Sequence, residues 1–253
     1  MKINKDKSIG RVLFIVEGSK TEFSILKRIF CNVLGYEYIE RRRNRADFYK
    51  NKNRSTSKVA VINTEESNIS YIYDENDYIE KIIEELISEY DFPIDNAAIY
   101  YIFDRDPKSN LNKELIEKLL SQFKNAYEND DWKRGGVLLL SYPSIEAYTI
   151  ANFIDDTYLM KFGIGDDVKA YIAMQNDQIQ INKITAKTIE KAAVETMKYF
   201  KAEKIDFCID DIGQINNEIF KRQEKEYDYQ GAYNLVSLLS IAFIDLGIIE
   251  IEE

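Results

Sequence analysis

Residues 97–107 read Ala-Ala-Ile-Tyr-Tyr-Ile-Phe-Asp-Arg-Asp-Pro, an unbroken apolar and aromatic run that stops at two aspartates and a proline. Such a run is typical of a strand buried on both faces, as in a parallel sheet. Because side chains two apart on a strand point the same way, Asp104 and Asp106 should project together from its carboxyl end, where open α/β sheets bind ligands. Like charges repel unless a cation or a proton lies between them. The run therefore indicates a metal site or, since Asp and Pro are common where strands stop, an acidic turn.

Strand-like and helix-like segments alternate on both sides of this run. The strand-like segments are residues 11–16, 36–40, 58–63 and 137–140, and the helix-like segments are residues 19–34, 76–90, 111–127 and 145–153. Apolar residues recur with helical spacing in the second group, and Gly35 stands where a helix would end. This alternation predicts an α/β fold, a parallel-rich sheet with helices on both faces.

The pattern changes after about residue 156. Three helical segments follow, at residues 185–201, 212–227 and 231–246, while residues 168–184 are ambiguous and include a candidate hairpin. The sequence therefore predicts an α/β domain over residues 1–155 and a mainly helical C-terminal region over residues 156–253. That region would be either a small domain or a cap on the sheet.

The composition favours a cytoplasmic protein. No apolar run is long enough to cross a bilayer, and the lysine-rich residues 1–9 lead into no signal-type apolar segment. Cys31 and Cys208 lie far apart in apolar surroundings, which indicates reduced core residues and not a disulfide framework.

The chain contains no histidine. This excludes Ser-His-Asp and Cys-His catalysis and every histidine-ligated zinc or iron site. A catalytic metal would have to be held by oxygen atoms, so the candidate cofactor is Mg²⁺, with Mn²⁺ or Ca²⁺ next.

Positive charge is concentrated in residues 41–58. The net charge of the chain is −10, yet this stretch has eight Lys or Arg against one Asp. The candidate nucleic-acid-binding side chains are Arg41, Arg42, Arg43, Arg45, Lys50, Lys52 and Arg54. They could bind phosphates across the site as a strap, although a solvated loop is the simpler interpretation of a charge run.

Three of the predicted strands run into acidic residues: Glu17, the pair Asp104 and Asp106, and Glu146. The carboxyl ends of parallel strands share one edge of a sheet, so these residues should converge as a one- or two-ion site requires. Each acid has a simpler explanation as well. Glu22 with Ser19 fits a helix capping box, and Glu146 suits the first turn of a helix.

The segment Val16-Glu17-Gly18-Ser19-Lys20-Thr21-Glu22 resembles the first motif of TOPRIM domains, and Phe103-Asp104-Arg105-Asp106 resembles their Asp-x-Asp motif. With Ser141, Pro143 and Glu146 following, the pattern is similar to the RloB-like and abortive-infection proteins, which are related to OLD-family nucleases. The resemblance covers roughly residues 10–155. It implies a TOPRIM-like fold and a divalent-metal-dependent nuclease of bacterial defence against phage.

Under this resemblance each acid has a role. Glu17 would be a metal ligand or general base, Asp104 and Asp106 metal ligands, and Glu146 part of a second ion site, with Glu22 a further candidate ligand. The substrate would be DNA or RNA, tRNA included. No Walker pattern is present, so an ATPase partner would be a separate chain. The sequence leaves open whether the chain forms a homo-oligomer.

Two other functions remain open at this stage. The chain could be a non-catalytic binding or regulatory subunit of a defence complex that keeps the fold without the chemistry. A nucleotidyl-transfer enzyme uses similar acids, but the sequence shows no cradle for a nucleoside triphosphate.

Overall fold

The fold is a mixed α/β arrangement around an eight-stranded sheet. It is given by a computed structural model that describes residues 1–39, 46–64, 68–72, 77–128 and 135–251. The described strands are β1 (Lys2–Ile3), β2 (Arg11–Val16), β3 (Tyr36–Ile39), β4 (Ala46–Asn51), β5 (Lys58–Asn63), β6 (Ala98–Asp104), β7 (Lys124–Asn125), β8 (Gly136–Tyr142), β9 (Lys161–Phe162), β10 (Tyr233–Asn234), β11 (Val236–Ser237) and β12 (Ile249–Glu250).

The described α-helices are α1 (Thr21–Lys27), α2 (Asp77–Tyr90), α3 (Lys113–Gln122), α4 (Glu146–Phe153), α5 (Gly165–Met174), α6 (Ala186–Ala202), α7 (Ile212–Gln230) and α8 (Leu239–Asp245). A π-helical segment, Arg28–Val33, continues α1. Within the described residues, none of the helices combines the length and apolar character that a bilayer crossing requires.

The sheet has the strand order β11-β8-β6-β2-β5-β4-β3, with β7 also paired to β8. The central strands β8, β6, β2 and β5 run parallel, whereas β4, β3, β7 and β11 pair antiparallel. The predicted parallel-rich sheet is therefore confirmed. The carboxyl ends of β2, β6 and β8 lie side by side, with β6 in the middle.

Helices cover both faces of the sheet. Tyr100 and Tyr101, neighbours on β6, point to opposite sides as strand geometry requires. Tyr100 stacks on Phe14 and donates a hydrogen bond from its hydroxyl to Asp245 in α8, at 2.6 Å. On the other face the ring of Tyr101 lies 4.7 Å from that of Phe123, at the end of α3.

The C-terminal region contains more strand than the sequence predicts. The predicted helices at residues 185–201 and 212–227 are confirmed as α6 and α7. The predicted helix at residues 231–246 is wrong in its first half, because Gly231, at φ +68°, ends α7 and the chain then forms β10 and β11. Residues 168–184 hold most of α5 and a 3-10 turn in place of the candidate hairpin.

Two further expectations need correction. The predicted helix at residues 111–127 ends at Gln122, since the next residues pair with β8 as β7. The two cysteines are free, but only Cys31 is half-buried, whereas Cys208 is exposed and so is not a core residue. The division at residue 155 stays a prediction, and residues on both sides of it share one apolar core that includes Phe14 and Phe243.

We predict that Gly136→Ala destabilises the fold more than Gly35→Ala does. Both glycines have positive φ, +110° and +75°. A Cβ on Gly136 would lie 2.9 Å from Cε2 of Tyr101 and 3.0 Å from the carbonyl oxygen of Ile99, whereas a Cβ on Gly35 would meet nothing within 4 Å. We expect losses of about 3 and about 1 kcal/mol in the free energy of unfolding, measured by urea denaturation. Equal losses would contradict the close packing of β8 on β6.

Candidate functional site

The first two predicted acidic motifs meet across the sheet. Glu17 follows β2 directly, and its Oε2 accepts a hydrogen bond from the backbone N–H of Asp104 at the end of β6, at 2.8 Å. β2 and β6 are adjacent parallel strands. The expected convergence of Glu17 with Asp104 is therefore present in the structure.

Asp104 connects these two strands to the third acidic segment. Its Oδ1 accepts a hydrogen bond of 2.7 Å from the backbone N–H of Ile145, which immediately precedes Glu146 at the start of α4. The loop before α4 follows β8, the neighbour of β6 on the other side. The three strand ends thus meet at Asp104.

Glu22 and Glu146 are buried beside this junction, each 7% exposed. Oε1 of Glu22 accepts from the backbone N–H of Gly18 at 3.0 Å, and Oε1 of Glu146 accepts from the hydroxyl of Thr21 at 3.2 Å. The predicted capping box is wrong: α1 begins at Thr21 after Lys20, no side chain caps it, and Glu22 accepts from the N–H of Gly18, outside the predicted box. Oε2 of Glu146 is buried without a partner among the described residues.

Asp106 is placed differently from the other acids. Its two carboxylate oxygens accept from the backbone N–H groups of Lys108, at 2.9 Å, and of Gly165, at 3.0 Å. Gly165 is the first residue of α5, and a Cβ there would lie 2.8 Å from Oδ2 of Asp106. Asp106 thus joins the Asp-x-Asp loop to α5, and its role as a metal ligand stays a prediction.

Burial raises the pKa of Glu17 from its usual 4.5 to about 7. The hydrogen bonds from the N–H of Asp104 and from Asn110 oppose this rise, while the charges of Glu22 and Asp106 add to it. A pKa near neutrality is the range in which a carboxyl group can both accept and release a proton.

The pKa of Asp104 also lies well above its ordinary value. Burial is the largest cause, followed by the charges of Glu17, Glu22 and Glu146. The pKa of Glu22 is raised by burial and by the charge of Glu146. Glu17, Glu22, Asp104 and Glu146 thus form one electrostatically connected group, here called the acid cluster.

No described Lys or Arg lies close enough to the acid cluster to form an ion pair with it, although the more distant charge of Lys169 opposes the rise in the pKa of Glu22. None of its members, nor Asp106, forms an ion pair with a described Lys or Arg. Arg105, between the two aspartates, is buried on the other side and makes hydrogen bonds of 2.7 and 3.0 Å to the carboxylate of Glu224. The nearest guanidinium in sequence therefore anchors the loop to α7 and does not pair with the cluster.

Two residues that sequence reasoning missed hold this arrangement. The amide of Asn110 donates to the carbonyl oxygen of Asp104 at 2.6 Å and to the carboxylate of Glu17, and its oxygen accepts from the N–H of Ile69 at 3.0 Å. Glu224, the partner of Arg105, is 119 positions further along the chain. An Asn in a loop and a Glu in a helix carry no signal of these contacts in the sequence.

The acid cluster suits a hard divalent ion by the chemistry of its donors, which are all carboxylate oxygens. The buried, unpartnered Oε2 of Glu146 is an acceptor that a cation could satisfy. Across the part of the chain that the structure describes, however, no three acidic, Cys or His side chains already surround a common point as ligands would. The donors are present. Backbone N–H groups fix one oxygen of Glu17, Glu22 and Asp104, and the hydroxyl of Thr21 fixes one oxygen of Glu146.

The basic stretch does not join the acid cluster as far as it is described. Arg41, Arg42, Arg43 and Arg45 lie outside the described residues. On β4, Lys50 pairs with Lys58, at the amino end of β5. At the other end of β5, Asn63 pairs with Val16, the residue before Glu17. Lys50, and Lys52 and Arg54 beyond it, thus lie about 17 Å or more along the strands from the acids. Binding of nucleic-acid phosphates by these three side chains stays a prediction.

Comparisons with known proteins add no assignment. The chain matches no protein-family model, and comparisons with curated proteins and with solved structures find no significant match. The resemblance to TOPRIM nucleases therefore rests on the sequence motifs at Glu17 and at Asp104.

We predict that the metal-free protein loses stability as the pH rises from 4.5 to 7. Folded Glu17 keeps its proton up to about pH 7, whereas the unfolded chain releases it near 4.5. The folded state binds more protons in this window, so the free energy of unfolding falls with rising pH, by about 3 kcal/mol for Glu17 alone. Urea denaturation in EDTA measures it.

Glu17→Gln should flatten this pH dependence, and Glu117→Gln, a change of an exposed acid in α3, should leave it intact. Stability that rises between pH 4.5 and 7 in the wild-type chain would contradict the burial of these acids in protonated form.

Proposed function

We propose that this protein is a divalent-metal-dependent nuclease that hydrolyses phosphodiester bonds. One observation carries the proposal: the ends of three adjacent parallel strands bring together three buried carboxyl groups and the half-buried carboxyl group of Asp104. No described Lys or Arg forms an ion pair with any of them. Such a group is stable only with bound protons or a bound cation. Oxygen donors alone favour Mg²⁺ or Mn²⁺.

Asp104, Glu146 and Glu22 are the residues that would hold the ion, with Glu17 beside them. Asp104 and Glu22 each have one oxygen fixed by a backbone N–H, and Glu146 has one fixed by Thr21. Such bonds orient a ligand before the metal arrives. When bound, a divalent ion would offset the negative charge and polarise a phosphoryl oxygen.

Glu17 is suited to act as the general base. Its pKa of about 7 allows it to accept a proton from an attacking water at neutral pH. The N–H of Asp104 and the amide of Asn110 hold its carboxylate in place. Asn110 is therefore a positioning residue for the base. It is buried, with 2% of its surface exposed.

The choice of a nucleic acid as substrate is supported by two features of the sequence. The motifs at Glu17 and Asp104 resemble those of TOPRIM nucleases. In addition, four arginines stand at residues 41–45, just before β4 in the sequence, and the first residue of β4 pairs with Ile62 near the acidic edge of the sheet. The role in defence against phage, and a separate ATPase partner, rest on the resemblance to the RloB-like and abortive-infection proteins.

A non-catalytic binding subunit is the second candidate, and one observation favours it. No three described acids are arranged as ligands, and both oxygens of Asp106 are occupied by backbone N–H groups. A chain of this kind would keep its buried acids protonated and would use the fold to bind a partner. It would show no magnesium-dependent hydrolysis of any nucleic acid.

We predict that Glu17→Gln and Asp104→Asn each abolish magnesium-dependent cleavage. Glu17→Gln removes the base, for which about 10²–10⁴-fold is the typical loss, and Asp104→Asn removes the central ligand. The measurement is cleavage of single-stranded DNA, single-stranded RNA and tRNA in Mg²⁺ and in EDTA. Glu117→Gln is the matched control and should cut as the wild-type chain does.

Two results would contradict the nuclease. Cleavage that survives Asp104→Asn would place the chemistry elsewhere. Absence of cleavage by the wild-type chain on all three substrates, with Mg²⁺ or Mn²⁺ present, would favour the binding subunit.

A further inference from the structure

A cavity of about 560 Å³ opens beside the acid cluster. It lies between α1, α4, α5 and the segment that follows α5. Its lining residues are Thr21, Glu146, Thr149, Lys169, Ile172, Asn176, Ile179, Gln180, Ile181 and Asn182. Its volume falls within the range of cavities that bind small organic ligands.

The cavity and the acid cluster share a wall. Glu146 belongs to both, and the hydroxyl of Thr21, another lining residue, donates to it at 3.2 Å. The charge of Lys169 also reaches the cluster, since it opposes the rise in the pKa of Glu22. A ligand bound in the cavity would therefore place whatever group is attached to its inner end next to the acid cluster.

Two buried polar atoms on this wall have no partner. Oγ1 of Thr149 and Oε2 of Glu146 make no hydrogen bond to the described residues, although their residues are only 2% and 7% exposed. An unsatisfied buried polar atom is costly, so such atoms need a reason. Both atoms are closed to solvent, so a ligand in the cavity would pair with them only after a rotation of their side chains.

The lining suits a heterocyclic base. Ile172 and Ile181 are half-buried and offer apolar surface for the faces of a ring, while Ile179, 1% exposed, lies behind them. Asn176, Gln180 and Asn182 carry amides, which both donate and accept and so match the mixed hydrogen-bonding edge of a base. Enzymes that accept an unpaired base combine such apolar and hydrogen-bonding surfaces in one pocket.

The charges of the lining fit a ligand with a phosphate next to the base. Lys169 is exposed at one side and can meet an anionic oxygen, and Glu146 is the only acid among the lining residues. An anionic group beyond Glu146 would lie at the acid cluster, where the proposed divalent ion would screen it.

We propose that this cavity binds the nucleoside of an unpaired nucleotide whose phosphate lies at the acid cluster. The inference rests on the proposed function and deepens it by naming the substrate as single-stranded at the cleaved position. A base stacked in a duplex cannot enter such a cavity, because its faces and its edge are already occupied.

The test is equilibrium binding to the full chain, with Ca²⁺ present to occupy the ion site. The probes are the four nucleoside 5′-monophosphates, a single-stranded hexanucleotide and the same sequence as a duplex. Gln180→Leu and Thr149→Val alter the cavity. Gln178→Leu makes the same change two residues away, at an exposed position that does not line it.

We expect the single strand to bind more tightly than the duplex, and Gln180→Leu or Thr149→Val to weaken it by about three- to tenfold, the worth of one hydrogen bond. Gln178→Leu should bind as wild type. Binding of a free monophosphate with the same sensitivity identifies a mononucleotide as the ligand, and binding of the oligonucleotide alone identifies a polynucleotide.

The proposal is overturned if Gln180→Leu and Thr149→Val, both folded by circular dichroism, bind the single strand as Gln178→Leu does, or if the duplex binds equally well. Its failure is distinct from failure of the nuclease. Cleavage that depends on Asp104 but not on Gln180 would refute the nucleoside site and leave the proposed nuclease standing. Binding that depends on Gln180, without any cleavage, would refute the nuclease and leave the nucleoside site standing.

Discussion

The structure depends on bringing several carboxyl groups together in its interior, none of them ion-paired with a described Lys or Arg. Glu17, Glu22, Asp104 and Glu146 come from the ends of three adjacent parallel strands and from the helices that follow them. Burial and mutual repulsion raise the pKa of Asp104 well above its usual range. Folding tolerates this only because protons, or a hard cation, can neutralise the group. The same constraint that would weaken the fold would, in the proposed function, give the site its affinity for a small ion.

The rest of the fold holds these groups in position. Backbone N–H groups fix one oxygen of Glu17, Glu22 and Asp104, so the orientation of the acids is set by the chain itself. Arg105 ties the Asp-x-Asp loop to Glu224 in α7, and a buried charge pair of this kind is costly to break from one side. The C-terminal helices therefore support the loop that carries Asp104 and do more than cover the sheet.

Much of this could be predicted from the sequence, and the remainder could not for physical reasons. The unbroken apolar run of β6 and the alternation around it determine a parallel sheet, and parallel strands bring Glu17 and Asp104 to one edge. Asn110 and Glu224 were missed because their contacts depend on tertiary packing, which leaves no local pattern. Asp106 shares the strand spacing of Asp104, but one of its oxygens accepts from Gly165 at the N terminus of α5 and the other from the N–H of Lys108. Lys50 lies on β4, which runs away from the acids, and Lys52 and Arg54 come after the end of that strand.

A crystal structure determined with Mn²⁺ tests most directly whether the acid cluster binds a divalent ion, because anomalous scattering locates the ion. We expect a peak in contact with a carboxylate oxygen of Asp104 and with Oε2 of Glu146, near Glu17, and no such peak in Asp104→Asn. An acid cluster without a peak at millimolar Mn²⁺, at a pH above 7 where Glu17 has lost its proton, would contradict it.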